Sequence, residues 1–349
     1  MKIGVYTDVH CAYTSSILPL QSSNSKYTTR LQMVIDTFRW MYSEFKSQSV
    51  DLIVNCGDLF DTFKLRAEEI SAMAEALSFN TQIPEYHIIG NHELMDKRRN
   101  FYATALLDNY QHINVVNQPL KLSNGLSFLP YMSWEDAQDS LPLIRNSILF
   151  SHIDIEGSQV TPQYMLDTGV APQRLSELFR LVINGHIHVY QKLRNNVYNI
   201  GATTSTSFSD DPEYAPGIAI IDTSDYSIRR IPNPYAILFR RISVNNILEL
   251  SDYCNTLNHP CALRCDIPNQ LRKEAEVLLK DCEHVIASRL ITNSNDMCID
   301  DSPVEDINIE LKTDVDKEFI AFLKGCPDLK YPLSDYLSVV NLLQEDSEC

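Results

Sequence analysis

Five short segments carry the residues of this chain best suited to chemistry: Asp8-Val9-His10, Gly57-Asp58-Leu59-Phe60-Asp61, Gly90-Asn91-His92-Glu93, Ser151-His152 and Gly185-His186-Ile187-His188. Each follows an apolar run that reads as a strand, so carboxylate, amide and imidazole groups arrive from five separate strand ends. Oxygen and nitrogen donors without thiolate suit manganese, iron or zinc better than calcium or copper(I). Two divalent ions about 3.5–4 Å apart can clamp the attacking and leaving oxygens of a phosphoryl displacement, and a water they share ionises near neutral pH. Two cations that close need a bridging anion, and Asp58 is the natural bridge. Asp8 and His10, two residues apart in an extended turn, can both reach one ion. His186 and His188 have the same spacing, so one can face each ion. Asn91 offers a neutral oxygen and His152 an imidazole. His92, beside Asn91, is placed to protonate the leaving oxygen or to stabilise the crowded phosphorus. A single Asp-x-His or His-x-His would read as structural; five such segments, each at a strand end, read as one dinuclear centre. His87 lies inside a strand and reads as packed in the core. His112, His259 and His284 carry no partner pattern and are read as non-functional.

The elements that position these groups alternate. Residues 3–7 read as a buried strand and 29–46 as a helix, whose Leu31, Val34, Ile35, Phe38, Tyr42 and Phe45 share one face. Strand 51–55, helix 66–79, strand 86–89 and helix 100–109 follow. Strand–helix alternation predicts a parallel sheet covered by helices, with ligands outside the carboxyl ends of its strands. A hairpin around Asn124-Gly125, strands 147–150 and 181–183, and hairpins around Asn195-Asn196 and Ser224-Asp225 come next. The expectation is α/β (α+β): a two-sheet sandwich flanked by helices, with the site along one edge. Pro232-Asn233-Pro234 is a stiff connector. Beyond it, strands 237–244, 261–267 and 283–292 alternate with helices 246–257 and 269–281 in a small α/β module. Helices over 314–324 and 333–344 end the chain as a hairpin that buries little alone and calls for another surface. The predicted units are 1–234, 235–295 and 296–349.

Composition narrows the class. No apolar run reaches the roughly 18 residues of a membrane span, and no signal peptide fits before the first strand. Nine Cys without a C-x-x-C pair point to reduced thiols and a cytoplasmic setting. The 29 basic and 46 acidic residues give −17, awkward for a protein that handles nucleic acid. Residues 300–349 hold 13 acidic and 4 basic residues, a net of −9, so the terminal segment carries over half of the imbalance.

The five segments resemble the calcineurin-like metallophosphoesterase superfamily, with its D-x-H, G-D-x-x-D, G-N-H-E/D, lone H and G-H-x-H pattern, over residues 1 to about 232. Within it the chain most resembles SbcD-type nuclease subunits and their phage counterparts. The early start of the first motif, the α/β module in the place of a capping domain, and the terminal helical hairpin support that narrower likeness. The resemblance implies Asp8, His10, Asp58 and His188 around one metal. It implies Asp58, Asn91, His152 and His186 around the other, with His92 as the catalytic histidine. It further implies two Mn2+ ions, 3′-to-5′ exonuclease and endonuclease action on DNA ends, and a homodimer within a heterotetramer with an SbcC-type coiled-coil ATPase. Cys11-Ala12 departs from the Leu-Gly-like pair usual there, and the acidity is a second departure.

Lys97, Arg98 and Arg99, just after the Gly-Asn-His-Glu segment, are the expected contacts to DNA phosphates. Arg229-Arg230 and Arg240-Arg241 read as strand-surface charges. Phe319, Phe322 and Leu323 on one terminal helix, with Tyr336, Leu337 and Val340 on the other, are the expected ATPase-binding faces. Two alternatives remain beside the nuclease. One is another enzyme of the superfamily (protein phosphatase, nucleotidase or cyclic-nucleotide phosphodiesterase). The other is a non-catalytic scaffold, disfavoured because every ligand position is filled.

Overall fold

Alternating apolar and small residues in the first strand set how the layers stack. In β1 (Lys2–Tyr6), Ile3 and Val5 point into the space between two sheets, while Gly4 and Tyr6 point to a covering helix. A computed structural model describes residues 1–14, 17–18, 25–80, 82–95, 101–161, 164–208 and 215–292.

β1 is followed by α1 (Thr29–Ser47), β2 (Leu52–Asn55), α2 (Ala67–Leu77), β3 (Glu85–Ile88) and β4 (Ile113–Val116). Thr28 caps α1, its hydroxyl accepting from the Leu31 amide at 3.3 Å, which satisfies one of the helix's unpaired first-turn donors. β5 (Leu120–Lys121), β6 (Leu126–Leu129), α3 (Trp134–Ser140) and β7 (Ile148–Ser151) come next. A small hairpin of β8 (Gln159–Thr161) and β9 (Tyr164–Met165) precedes α4 (Pro172–Leu178), β10 (Leu181–Asn184), β11 (Gln191–Arg194) and β12 (Val197–Asn199). β13 (Gly217–Asp222) and β14 (Ser227–Pro232) complete the layers.

The first sheet runs β14-β13-β1-β2-β3-β4 and the second β11-β12-β10-β7-β6-β5. β1 to β4 are mutually parallel, as are β6, β7, β10 and β12. Ile3, Val5, Val54 and Ile88 of one sheet meet Phe128, Ile148, Phe150 and Ile183 of the other in a buried core. α1 and α2 cover the outer face of the first sheet. α3 and α4 cover that of the second. The fold class is thus mixed α/β, two sheets with flanking helices. Because the central strands of each sheet are parallel, their carboxyl ends gather at one edge.

Asn233, buried between the two prolines of the connector, donates to the Thr37 hydroxyl and the Thr203 carbonyl, both at 3.0 Å. The connector is therefore pinned to α1. Beyond it lie β15 (Leu238–Ser243), α5 (Ile247–Thr256), β16 (Cys261–Ile267), α6 (Arg272–Asp281) and β17 (Val285–Thr292), with the three strands parallel. Leu263, Cys265 and Ile267 face α5 and α6. On the opposite face Phe239 and Ala262 join the core beneath α1.

The helix expected over 100–109 is a 3-10 helix over Ala103–Asn109. Its Thr104 is β-branched and β4 starts four residues after it ends, which favours one tight, short winding. α3, α4 and the β8–β9 hairpin are too short for periodicity to reveal, and β4 (Ile113–Val116) has no motif segment after it to mark it. The expected terminal helices, with Phe319, Phe322, Leu323, Tyr336, Leu337 and Val340, lie outside the described residues. So do Lys97, Arg98 and Arg99. Among the described residues no helix is long and apolar enough to cross a membrane, and Cys11, Cys56, Cys254, Cys261, Cys265 and Cys282 are free.

Candidate metal centre

The turns that leave the strands are wound left-handed where ligand-type residues sit. Asp8 (φ 51°), His10 (φ 47°), Asp58 (φ 52°) and His186 (φ 71°) all have positive φ, which residues with a Cβ seldom adopt and which costs energy at each. Backbone pairing holds them there. The Asp8 amide donates to the Gly57 carbonyl at 2.9 Å, and the His10 amide to the Asp58 carbonyl at 3.0 Å. Arg30, buried in the first turn of α1, clamps the same turn: it donates to the Val9 and His10 carbonyls at 2.8 and 3.0 Å and to the Ser205 carbonyl at 2.7 Å. Glu93 ties the second and third segments together, accepting from the amides of Leu59 (2.9 Å), Phe60 (3.3 Å) and Gly90 (2.9 Å). Burial and the Asp58 carboxylate push Glu93 up to about 8, against the pull of those amides.

Glycines occupy the points of closest approach. Gly57 has φ 108°, and a Cβ there would strike the His152 imidazole. A Cβ on Gly90 would strike the Asp58 carboxylate, and one on Gly185 the Thr7 hydroxyl and the Cys56 carbonyl. Three motifs are thereby packed into one cluster.

Three groups of donors result: His10, Asp61 and His92 form one toward the rim, and the other two converge on Asp58. Asp8, His10 and His188 offer atoms within 4.8 Å of one another, as do Asp58, His152 and His186. In the first, His10 Nε2 faces His188 Nε2 at 3.1 Å, and both lie near Asp8 Oδ1, at 3.9 and 4.0 Å. In the second, Asn91 Oδ1 lies 3.1 Å from His152 Nε2 and 3.0 Å from His186 Nδ1. Asp58 Oδ2 lies between the groups, 3.3 Å from His152 Nε2 and 3.9 Å from His10 Nε2.

The outer nitrogens of three rings fix their tautomers. His152 Nδ1 donates to the Cys56 carbonyl at 2.7 Å. His186 Nε2 bonds Asp154 Oδ1 at 2.9 Å, and His10 Nδ1 bonds Asp61 Oδ1 at 3.0 Å. Rings held this way turn lone pairs inward, those of His152 and His186 toward the Asn91 oxygen and those of His152 and His10 toward Asp58. Acceptors facing acceptors require a proton or a cation between them. Asp8 Oδ1 is buried without a hydrogen-bond partner, while its Oδ2 accepts from the Thr7 hydroxyl at 2.6 Å and the His186 amide at 3.1 Å. An orphaned carboxylate oxygen amid imidazole nitrogens fits a divalent cation. The electrostatics agree. Burial alone would lower His152, yet the Asp58 carboxylate raises it to about 9. Burial alone would raise Asp58, yet His152, His10 and His92 hold it below the usual carboxylate range.

His92 stands at the rim, its side chain 43% exposed. Its amide donates to Asp58 Oδ1 at 3.1 Å and its Nδ1 to the Asp61 carbonyl at 2.9 Å. Its ring meets His10 edge-on at 4.7 Å. The Tyr131 ring lies 5.8 Å from His186 and 6.3 Å from His152, forming an aromatic wall beside the second group.

The structure thus brings together Asp8, His10, Asp58, Asn91, His92, His152, His186 and His188. His87 is elsewhere, buried under α1 with Glu85 at 2.9 Å and the Tyr6 hydroxyl at 3.3 Å. Cys11 is buried rather than in the cleft, and burial raises its thiol to about 12. Asp61, Glu93, Asp154, Arg30 and Tyr131 carry no role in the sequence reading. Asp61 and Glu93 stand inside the motifs and were open to inference; Asp154, Arg30 and Tyr131 carry no local signal.

The calcineurin-like phosphoesterase family model matches residues 1–190, more than half of the chain. The chain belongs to that family. No curated protein matches it in sequence. Solved structures similar to it include an archaeal phosphodiesterase, 14% identical, covering 66% of this chain and 99% of its own, at a TM-score of 0.34. A dimetal phosphatase from Danio rerio is 12% identical, covering 67% of this chain and 96% of its own, at a TM-score of 0.38. The nuclease MPE of Pseudomonas putida is 15% identical, covering 62% of this chain and 83% of its own, at a TM-score of 0.29.

Proposed function

We propose that this calcineurin-like phosphoesterase is a manganese-dependent DNA nuclease, the SbcD-type subunit of a complex with a coiled-coil ATPase, acting in the cytoplasm on DNA ends. The observation that carries the reading is the pair of converging donor groups with His92 above Asp58. Asp8, His10, Asp58 and His188 would hold one ion; Asp58, Asn91, His152 and His186 the other. Two ions held there would supply a clamp on the attacking and leaving oxygens and a water activated at neutral pH. His92 supplies the proton. With Nδ1–H committed to the Asp61 carbonyl, the proton would come from Nε2–H of the imidazolium and pass to the departing deoxyribose oxygen, leaving the neutral Nδ1–H tautomer, and the exposure of the ring lets a bulky substrate reach it. Asp61 and Asp154 orient His10 and His186 through their outer nitrogens.

The choice of a polymeric substrate rests on β15–β17 and their helices, packed against α1 where a compact phosphatase needs nothing. ATPase docking by the terminal hairpin, the dimer, and phosphate contacts from Lys97, Arg98 and Arg99 belong to the same proposal. The test is digestion of an end-labelled DNA duplex with Mn2+, comparing the protein with His92→Ala, with and without an SbcC-type partner and ATP. Manganese-dependent cleavage lost in the variant supports the reading. Hydrolysis of bis-p-nitrophenyl phosphate with no DNA cleavage under any condition would move the protein to another activity of the family.

A further inference from the structure

We propose that Arg241, Arg264 and Arg289 form a binding site for the phosphodiester backbone of a nucleic-acid strand, an inference that rests on the nuclease reading above. The register of the third sheet places them side by side: Arg241 pairs with Arg264, and Arg264 with Arg289. The preceding row on the same face, by the two-residue period of a strand, is Phe239, Ala262 and Ala287. Phe239 and Ala262 are buried in the core beneath α1, and Ala287 packs against it. The arginine row is therefore the first on that face to emerge from the contact with the phosphoesterase layers. Arg241 and Arg289 are exposed, and Arg264 is partly buried between them.

Three like charges in register across adjacent strands work against sheet formation. Among the described residues none of the three forms an ion pair, and the Nε of Arg264 is buried without a hydrogen-bond partner. Asp266, one row further along beside Ser243 and Ile291, is the one acid that strands β15–β17 place on this face, and its own Oδ1 also lacks a hydrogen-bond partner. Such a row is neutralised by an external anion. Guanidinium forks match phosphate oxygens. At the spacing of neighbouring strands the row spans about 10 Å, longer than one phosphate and suited to successive phosphates of one strand. In a chain of net charge −17, this face is a local exception that a polyanion could use.

Position links the row to the metal centre. The Arg241 guanidinium lies 6.0 Å from the Phe208 ring, which packs edge-on against Phe239 at 5.2 Å. Phe208 follows Thr204 and Ser205, both bonded to Arg30, the residue that clamps the His10 turn. A strand lying on the row would run past the loop that borders the site.

The test is DNA affinity against salt, by anisotropy of a labelled oligonucleotide, with Ca2+ in place of Mn2+ to suppress cleavage. Each lost phosphate contact flattens the slope of log K against log salt by about 0.9 on duplex DNA. The Arg241→Gln/Arg264→Gln/Arg289→Gln variant is expected to flatten it by about two to three and to bind at least tenfold more weakly at 100 mM salt. The triple Lys variant should retain the slope. Arg240→Gln, one residue away on the opposite face, should leave it unchanged. A melting temperature equal to or above that of the native protein certifies the fold of each variant. An unchanged slope in the folded Gln variant overturns the row while leaving the nuclease reading intact. Native protein that hydrolyses bis-p-nitrophenyl phosphate but binds no DNA at low salt overturns the nuclease reading, and this inference with it.

Discussion

His152 illustrates what single residues do in this fold. Its Nδ1 is fixed to a backbone carbonyl and its Nε2 faces Asp58 and Asn91, so in the metal-free protein the inward position holds a proton up to about pH 9. That folded value lies above the unfolded imidazole's of about 6.5. Its contribution to metal-free stability is therefore complete below about 6.5 and lost as pH rises through about 9. A cation at the same place must displace the proton. Titrating Mn2+ at pH 7 in buffers of different ionisation enthalpy should show net proton release, and affinity should climb as pH rises toward 9. Heats independent of the buffer would contradict this. The carboxylates behind the rings act differently. Asp154→Asn leaves the donors in place but loosens His186, and metal affinity should fall about 10- to 100-fold with little change in melting temperature. At this scale the sequence was most legible, because residue type and spacing alone single out Asp8, His10, Asp58, Asn91, His92, His152, His186 and His188. Asp154 and Tyr131 were not, since each acts through a neighbour that only the folded chain supplies.

At the scale of elements, the site depends on strands ending together and on glycines letting them. Gly57→Ala forces a Cβ toward His152 and a positive φ onto alanine. It should lower unfolding free energy by more than about 1 kcal/mol and impair metal binding. Gly4→Ala makes a contrast. Its Cβ would meet the Phe45 ring, 2.7 Å from Cδ1, on the helix side of β1. Overpacking there should cost about 1–3 kcal/mol in a urea titration while leaving the metal stoichiometry of the folded protein intact. Helices α1 and α2 could be read from apolar periodicity because each spans enough residues for a pattern, and strands β1, β2 and β3 as apolar runs leading into the motif segments. α3 and α4, of seven residues each, could not, since packing rather than periodicity decides them.

For the whole molecule, charge and packing divide the work. Phe239 anchors β15–β17 to the core beneath α1. Phe239→Ala should cost about 3–5 kcal/mol, seen as an earlier denaturation midpoint; an unchanged midpoint would mean that this contact carries no stability. The parallel module after Pro234 was legible from strand–helix alternation. Which face it turns to the phosphoesterase layers was not, because Arg240 and Arg241 are neighbours in sequence but lie on opposite faces of the sheet.

The central claim is that two cations sit between the donor groups. Electron paramagnetic resonance of the Mn2+-loaded protein, with the metal counted in the same sample, tests it most directly. Two spin-coupled ions per chain are expected, with the coupling abolished in Asp58→Ala. A single uncoupled ion in the native protein, or a coupled pair that persists without Asp58, would contradict the account.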